Sequence, residues 1–200
     1  MSSPPLYCII KLVKYKYMAD LQNSNELIKV DVFKKMGLEE GMAVGDLGCG
    51  NLAYYATCAA KIVGKNGLVY AVDILKTALN AVATRAKNEG LGNLKTIWSN
   101  LEVFGATTIP ANSLDAIFIH NVMFQSTKHD GFIKEAMRLL KPKGKLMIVD
   151  WKKISAPFGP PVDSRPDPEK VKALAAQNGL KLNEEFDAGP YHWCMIFVRG

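Results

Sequence analysis

The chain has 200 residues, of which 48% are hydrophobic and 22% charged, with a formal net charge of +6. This is ordinary globular usage, and 200 residues can bury one substantial core. No apolar run approaches the ~20 residues that cross a bilayer, so we predict neither a transmembrane helix nor a secretory signal. The 25 basic residues are dispersed among 19 acidic ones, which disfavours a nucleic-acid surface.

The cysteines point to a reducing compartment. Cys8, Cys49, Cys58 and Cys194 show neither CxxC spacing nor a partner histidine at metal-ligand spacing. We therefore predict no disulfide and no metal site, and the cytoplasm is the simplest location.

The chain begins with a segment that differs from the rest. Residues 1–22 contain Pro4 and Pro5, which break regular structure, and we interpret them as an N-terminal arm that is either flexible or a lid. Residues 23–200 are then a single domain. Its first element is an amphipathic helix over residues 25–36, capped by Ser24.

The remaining chain alternates strands and helices with short connections, a pattern that produces a parallel sheet covered on both faces. The predicted strands lie near residues 43–47, 68–73, 94–98, 114–119 and 144–150. The predicted helices lie near residues 52–63, 75–89, 128–141 and 167–178. Residues 141–144, Lys-Pro-Lys-Gly, should end the third of these helices. Residues 180–187 and 191–198 could pair as antiparallel edge strands.

A glycine-rich turn follows the first strand, and an acid closes the second. Residues 44–50 read Val-Gly-Asp-Leu-Gly-Cys-Gly, and the next apolar run ends on Asp73. Glycines let the backbone approach a ligand, and the helix after the turn presents N–H groups to an anion. A carboxylate at Asp73 would accept hydrogen bonds from a ribose diol. The pair predicts a nucleotide site, although such turns also serve tight packing alone.

These residues resemble the class I S-adenosylmethionine (SAM) dependent methyltransferases, in their ubiquinone/menaquinone-biosynthesis-like (UbiE-like) branch. Asp46 stands where a nicotinamide dehydrogenase usually has the glycine that opens its turn. The resemblance covers about residues 25–197, and one departure is Leu52, where the family commonly has a third glycine and where a side chain should crowd the loop. It is carried by GDLGCG, VYAVDI, SLDAIFIHNV, EAMRLLKPKGKLMIVDW and a later GPP followed by Arg165.

The resemblance implies a Rossmann-like α/β fold, with a mostly parallel seven-stranded sheet, helices on both faces and an antiparallel C-terminal strand. It also implies SAM as cofactor, with Asp46 facing the amino end of the methionine moiety. Asn100 aligns with an acid that meets the adenine amine in the family, but it could equally make only a turn. The predicted cofactor-binding residues are Asp46, Gly48, Cys49, Gly50, Asn51, Asp73, Ile74, Asn100, Leu101 and Asn121.

The acceptor should lie beyond the same carboxyl ends of the strands. The substrate-pocket candidates are Gln125, Trp151, Arg165 and His192. Arg165 could hold a carboxylate or phosphate through its planar guanidinium, although proline-rich loops such as 157–161 are as often stiff surface connections. His120 is as well explained by burial as by a catalytic role.

The chemistry asks little of the protein, because the methyl group of SAM is already activated. Transfer needs a nucleophile held in line in a site that excludes water. We therefore name no catalytic residue and predict a methyltransferase acting on a small organic acceptor. The alternatives are a protein-lysine or lipid-amine methyltransferase, or a SAM-binding protein without turnover, with a dehydrogenase third. The oligomeric state is left open.

Overall fold

The computed structural model describes residues 32–200, which contain helices α1 to α5 and strands β1 to β7. In chain order the elements are α1 (Val32–Met36), β1 (Ala43–Leu47), α2 (Tyr54–Val63), β2 (Leu68–Asp73), α3 (Lys76–Asn88), β3 (Leu94–Trp98), β4 (Leu114–His120), a 3-10 turn (Met123–Gln125), α4 (His129–Leu139), β5 (Leu140–Trp151), a second 3-10 turn (Val162–Ser164), α5 (Pro168–Gln177), β6 (Leu180–Asp187) and β7 (His192–Arg199).

The seven strands form one sheet in the order β3-β2-β1-β4-β5-β7-β6. Strands β1 to β5 are parallel, and β7 runs antiparallel to both β5 and β6. The predicted Rossmann-like fold is confirmed. The prediction that both C-terminal strands are edge strands is wrong for β7, which lies between β5 and β6. Its burial explains this, since residues 192–197 are all buried and need cover on both faces.

Two apolar cores lie on opposite faces of the sheet, because successive strand residues point to opposite sides. Ile117 of β4 packs into the core that α4 and α5 cover. Its neighbour Phe118 packs into the core that α1, α2 and α3 cover. Helices on both faces shield the sheet, so the carboxyl ends of the parallel strands are left as the place where a ligand can enter.

The boundary between α4 and β5 differs from the prediction. The helix ends at Leu139, two residues early, and residues 141–144 belong to β5 instead of a turn. Lys143 has a φ of +65°, and the pairing of β4 with β5 shifts register between Leu114 and Ala116. Pro142 cannot donate to a ladder, so the strand absorbs this stretch as an irregularity.

The predicted arm at residues 1–22 and most of the predicted helix over 25–36 lie outside the described residues. The last turn of that helix is α1, which is followed by Gly37 with a φ of +66°. Within residues 32–200 no helix is both long and apolar enough to cross a membrane.

Candidate functional site

The loop after β1 turns sharply and packs against the loop after β4. Gly48 has a φ of +84°, and a Cβ built on it would lie 2.3 Å from Cγ2 of Val122. The Gly48 and Cys49 N–H groups both donate to the carbonyl of Val72, at 2.8 and 3.0 Å. Gly50 has a φ of +62° and no atom within 4 Å of the Cβ position, so its missing side chain leaves open space beside the loop.

Asp73, at the end of β2, is fastened to this loop. The carboxylate is only 5% exposed, and its Oδ2 accepts from the Gly50 N–H at 2.8 Å. Its Oδ1 accepts from the Leu75 N–H at 2.9 Å. Each carboxylate oxygen can accept a further hydrogen bond, so a diol can be bound here without displacing either contact.

Asp46 is a second buried acid at the same edge. It is 2% exposed, and its Oδ2 accepts from the Ala56 N–H at 3.0 Å. Burial raises the pKa of Asp46 to about 7, and the nearby negative charge of Asp73 adds to the effect. A buried acid of this kind favours a cationic ligand group, whose charge would offset the cost of ionising it.

Leu52 lies at the end of the glycine loop. Its side chain is half-buried, and its carbonyl accepts from Nη1 of Arg85 at 2.8 Å. The left-handed conformation falls one residue later, on Ala53, with a φ of +41°. Asn51, the residue before Leu52, is exposed at the surface of the loop.

The segment after β3 forms the side of the site next to Asp73. Asn100 makes a turn, since its Oδ1 accepts from the Glu102 N–H at 3.0 Å, and Leu101 is buried in the core. Ile74 is 51% exposed, and its carbonyl accepts from Nε1 of Trp98. An exposed Ile74 beside a buried carboxylate suits a flat ring joined to a sugar.

The turn after β4 is held by hydrogen bonds to β5, to β7 and within the turn itself. Asn121 has a φ of +52°, its N–H donates to the Val149 carbonyl, and its Nδ2 lies 3.2 Å from Nε2 of His192. The Gln125 amide donates to the Asn121 carbonyl at 3.1 Å. The sequence interpretation did not include Asp150, whose buried carboxylate accepts from the Met123 N–H. The signal for it was a charged residue closing an apolar strand.

A row of rings crosses the carboxyl edge of the sheet. Ring centroids lie 4.9 Å apart for Tyr55 and His120, 6.3 Å for His120 and His192, and 4.2 Å for His192 and Trp151. The row continues to Phe158, 5.9 Å from Trp151. Burial lowers the pKa of His120 to about 3 and that of His192 to about 4. Both imidazoles are therefore neutral near pH 7.

Arg165 does not present its guanidinium to the site. It is buried, with its Nη1 bound to the carbonyls of Lys152 and Ile154, and its Nε and Nη2 bound to the Pro160 carbonyl. Its charged carbon lies 5.0 Å from the centre of the Trp151 ring. The backbone oxygens occupy the planar fork that would have held a substrate anion, so Arg165 orders the loop instead.

No group of three histidines, cysteines or acids in residues 32–200 is placed to hold a metal ion. The site therefore consists of the glycine loop, the two acids and the row of rings. Such an edge, on a sheet of this strand order, is the arrangement that the resemblance to the class I SAM-dependent methyltransferases implies.

Comparison with known proteins identifies the family of this chain. Residues 38–186 match the family model described as a methyltransferase domain. The chain is 32% identical to the ubiquinone/menaquinone biosynthesis C-methyltransferase UbiE of Hydrogenovibrio crunogenus over 147 residues, which are 72% of this chain and 56% of that protein. It is 28% identical to UbiE of Escherichia coli over 189 residues, 93% of this chain and 71% of that one. It thus spans little more than half of the first relative.

A solved SAM-dependent methyltransferase from Aquifex aeolicus superposes with a TM-score of 0.79 at 28% identity, covering 88% of this chain and 92% of the other. The chain belongs to the methyltransferase domain family, and it is similar to UbiE proteins within it. The match to a methyltransferase domain and the likeness to a SAM-dependent methyltransferase agree with the activity and the cofactor that the sequence predicted.

The residues present fit this cofactor. Gly50 leaves open space beside the loop, and Asp73 has spare acceptor capacity for the ribose hydroxyls. The buried hydroxyl of Ser99 has no hydrogen-bond partner within residues 32–200, and the Ser99 N–H donates to the Asp73 carbonyl. A polar group left in this position is suited to a bound ligand or water.

Proposed function

We propose that this enzyme transfers the methyl group of SAM to a carbon of a hydroxylated aromatic ring. The observation that carries the proposal is the row of rings from Tyr55 to Phe158 beside the proposed cofactor site. Flat ring faces stack well on a flat acceptor. The relatives named C-methyltransferases of ubiquinone and menaquinone biosynthesis support a carbon acceptor in a molecule of that kind.

In the cofactor half of the site, Asp73 accepts hydrogen bonds from the ribose hydroxyls and Asp46 faces the methionine ammonium. The ammonium would favour the carboxylate form of Asp46, which burial disfavours in the free protein. Ile74 covers the adenine ring, and Gly50 and Asn121 lie beside the part of SAM that joins the adenosine to the ammonium. The sulfonium of bound SAM supplies an activated methyl group, so the protein mainly has to orient the acceptor and exclude water.

In the acceptor half, Tyr55, Trp151 and His192 are buried, so the ring is received by Gln125 and by the partly exposed members of the row, His120 and Phe158. A phenolate pushes electron density onto the carbons next to its oxygen, and one of these carbons forms the new bond to the methyl group. The bond between that methyl and sulfur breaks, S-adenosylhomocysteine (SAH) leaves with the electron pair on its sulfur, and the ring carbon releases its proton to solvent, which restores aromaticity. A neutral His120 can accept a hydrogen bond from the acceptor hydroxyl and so orient the ring, whereas its lowered pKa makes it a weak base, and the phenolic proton goes to solvent.

The test uses SAM labelled with ¹³C in its methyl group and a panel of acceptors. The panel contains a naphthohydroquinone with a short isoprenoid chain, a catechol, a lysine peptide, an ethanolamine phospholipid and a small thiol. We expect label on a ring carbon of the hydroquinone, identified by NMR. Label on nitrogen would instead support the protein-lysine or lipid-amine alternative, and it would overturn this proposal.

A pair of aromatic variants tests the acceptor half directly. Phe158→Ala removes one ring of the row and should raise KM for the hydroquinone several-fold while leaving KM for SAM unchanged. Phe104→Ala is the matched control, because this ring is exposed and has no place in the row. Equal effects of the two variants would contradict the assignment of the row to the acceptor.

A further inference from the structure

Asp150 is a fully buried carboxylate to which the proposed chemistry gives no role. It is the penultimate residue of β5 and has no exposed surface. Burying a carboxylate costs free energy unless hydrogen bonds replace those lost to water. The groups that donate to Asp150 therefore show which part of the structure it stabilises.

Two of the three hydrogen bonds that Asp150 accepts come from the turn after β4. Its Oδ2 accepts from the N–H groups of Met123 and Phe124, at 3.0 and 3.4 Å. Its Oδ1 accepts from the N–H of Trp151 at 2.8 Å. The first N–H groups of a helical turn lack acceptors within the turn. Asp150, on the neighbouring strand β5, supplies the acceptor for two of them.

The turn that Asp150 holds also borders the cofactor loop. Val122, directly before the turn, fills the space beside Gly48, where even a Cβ would come within 2.3 Å of it. Asn121, one residue earlier, is at the proposed methionine side. A shift of this turn would therefore move the glycine loop as well as the acceptor wall.

The adenosine side of the cofactor site is held by other contacts. Asp73 is fixed by Gly50 and Leu75, and Asn100 by its own turn with Glu102. None of these contacts involves Asp150. Of these contacts only the one with Gly50 reaches the glycine loop, and Gly50 lies two residues beyond Gly48, where Val122 packs, so the adenosine side should respond less than the methionine side.

We infer that Asp150 is a positioning residue for methyl transfer, which holds the turn after β4 so that the methionine side of the SAM site keeps its shape. It touches neither substrate nor cofactor and acts through Met123, Phe124 and Val122. Burial raises the pKa of Asp150 to about 7, although its three N–H donors and Arg165 act to lower it. Keeping this carboxylate buried therefore costs free energy. The inference rests on the cofactor site proposed above and is independent of the acceptor.

The test compares two ligands that differ only in reaching the methionine side. SAH and adenosine are titrated calorimetrically into the wild type, Asp150→Asn and Asp150→Glu. The Asn variant keeps the size but weakens the acceptor, and the Glu variant keeps the charge but moves it by one methylene. We expect Kd for SAH to rise about tenfold in both, as the loss of one charge-assisted hydrogen bond implies, while Kd for adenosine stays within twofold.

Glu135→Gln is the control for a general loss of stability. Glu135 is also a fully buried carboxylate, but it holds the segment around Thr107. This variant should lower Tm and leave both Kd values within twofold. Unchanged SAH binding in both folded Asp150 variants would overturn the inference, as would an equal loss of adenosine binding. If the wild type binds neither ligand, the proposed cofactor site itself fails, and that result is distinct from the others.

Discussion

The carboxylate of Asp73 accepts a hydrogen bond from the N–H of Gly50, with 2.8 Å between Oδ2 and the nitrogen. This contact joins the end of β2 to the loop after β1, across the cleft between two neighbouring parallel strands. The acid and the glycine loop are therefore one structural unit, although 23 residues separate them in the chain. A ligand that binds the acid must also lie against the loop.

Replacing Asp73 by alanine should weaken SAM binding by roughly 1–3 kcal/mol, because it removes charge-assisted hydrogen bonds to the ribose. The same change should weaken adenosine, since both ligands carry the ribose. Calorimetric titration measures both effects. Asp115→Ala is a suitable control, since that carboxylate binds Lys141 and the Ala43 N–H at the other end of β1. An Asp73→Ala protein that is folded and keeps its affinity would contradict the role.

SAH binding should strengthen as the pH rises from 6 to 8. The pKa of Asp46 is raised to about 7 by burial, so the carboxylate that attracts the ammonium forms over this interval. The ionised fraction grows about tenfold, which limits the gain in affinity to about tenfold. Asp46→Asn should remove this dependence, as calorimetry at several pH values can show. Adenosine, which has no ammonium, should show little pH dependence in either protein.

The ligand-free protein, by contrast, should become less stable as the pH rises. With its raised pKa, folded Asp46 keeps a proton that the unfolded chain releases above about pH 4. Its contribution therefore falls as the pH rises from about 4 to about 7 and is constant above that. Urea unfolding at pH 5 and pH 8 tests this, since Asp46→Asn should reduce the difference between the two. A difference as large as in the wild type would contradict the pKa assigned to Asp46.

Gly48→Ala should destabilise the protein by about 2–5 kcal/mol, the sum of an overpacking cost and a left-handed backbone penalty. The added Cβ would lie 2.3 Å from Cγ2 of Val122. Gly50→Ala is the matched control, because it has the backbone penalty of roughly 1–2 kcal/mol without a clash. Denaturant unfolding gives both values. Combining Gly48→Ala with Val122→Ala should show less than additive loss, and full additivity would count against the clash.

Glu135→Ala should cost about 3–5 kcal/mol, as expected when one partner of a buried ion pair is removed. Burial alone would raise the pKa of Glu135, but its hydrogen bonds with Arg138, Thr107 and Gly105 outweigh this and hold the pKa below its usual value. The variant leaves the Gly105 N–H without its acceptor and removes the charged partner of Arg138, which keeps its hydrogen bonds to the Thr107 and Ile109 carbonyls. Glu169→Ala, which breaks an exposed pair with Lys172, should change stability little. Urea unfolding of the two variants decides this.

The sequence predicted the parts of the fold that depend on local pattern. Hydrophobic periodicity and glycine positions placed β1, β2 and β3 to within a residue, and α5, which Asp167 caps, begins where the helix near residue 167 was predicted. The position of β7 between β5 and β6 could not be read from its own residues. Strand order depends on pairing between segments far apart in the chain, and an apolar run looks the same at an edge as in the interior.

The same limit applies to the site. Asp46 and Asp73 follow from a turn and a strand end, which local sequence determines. Arg165 was misplaced as a substrate ligand because the carbonyls that surround it are backbone groups, which carry no sequence signal. Asp150 was missed for a related reason, since its partners are the N–H groups of another loop. Side chains that bind backbone are identified only when the fold brings the two together.

The measurement that tests the account most directly is a crystal structure of the protein with SAH. We expect the ribose hydroxyls within hydrogen-bond distance of the Asp73 carboxylate, the homocysteine ammonium on the side of Asp46, and the sulfur facing the row of rings that contains His120 and Trp151. A ribose bound away from Asp73, or a sulfur turned away from those rings, would contradict the proposed site.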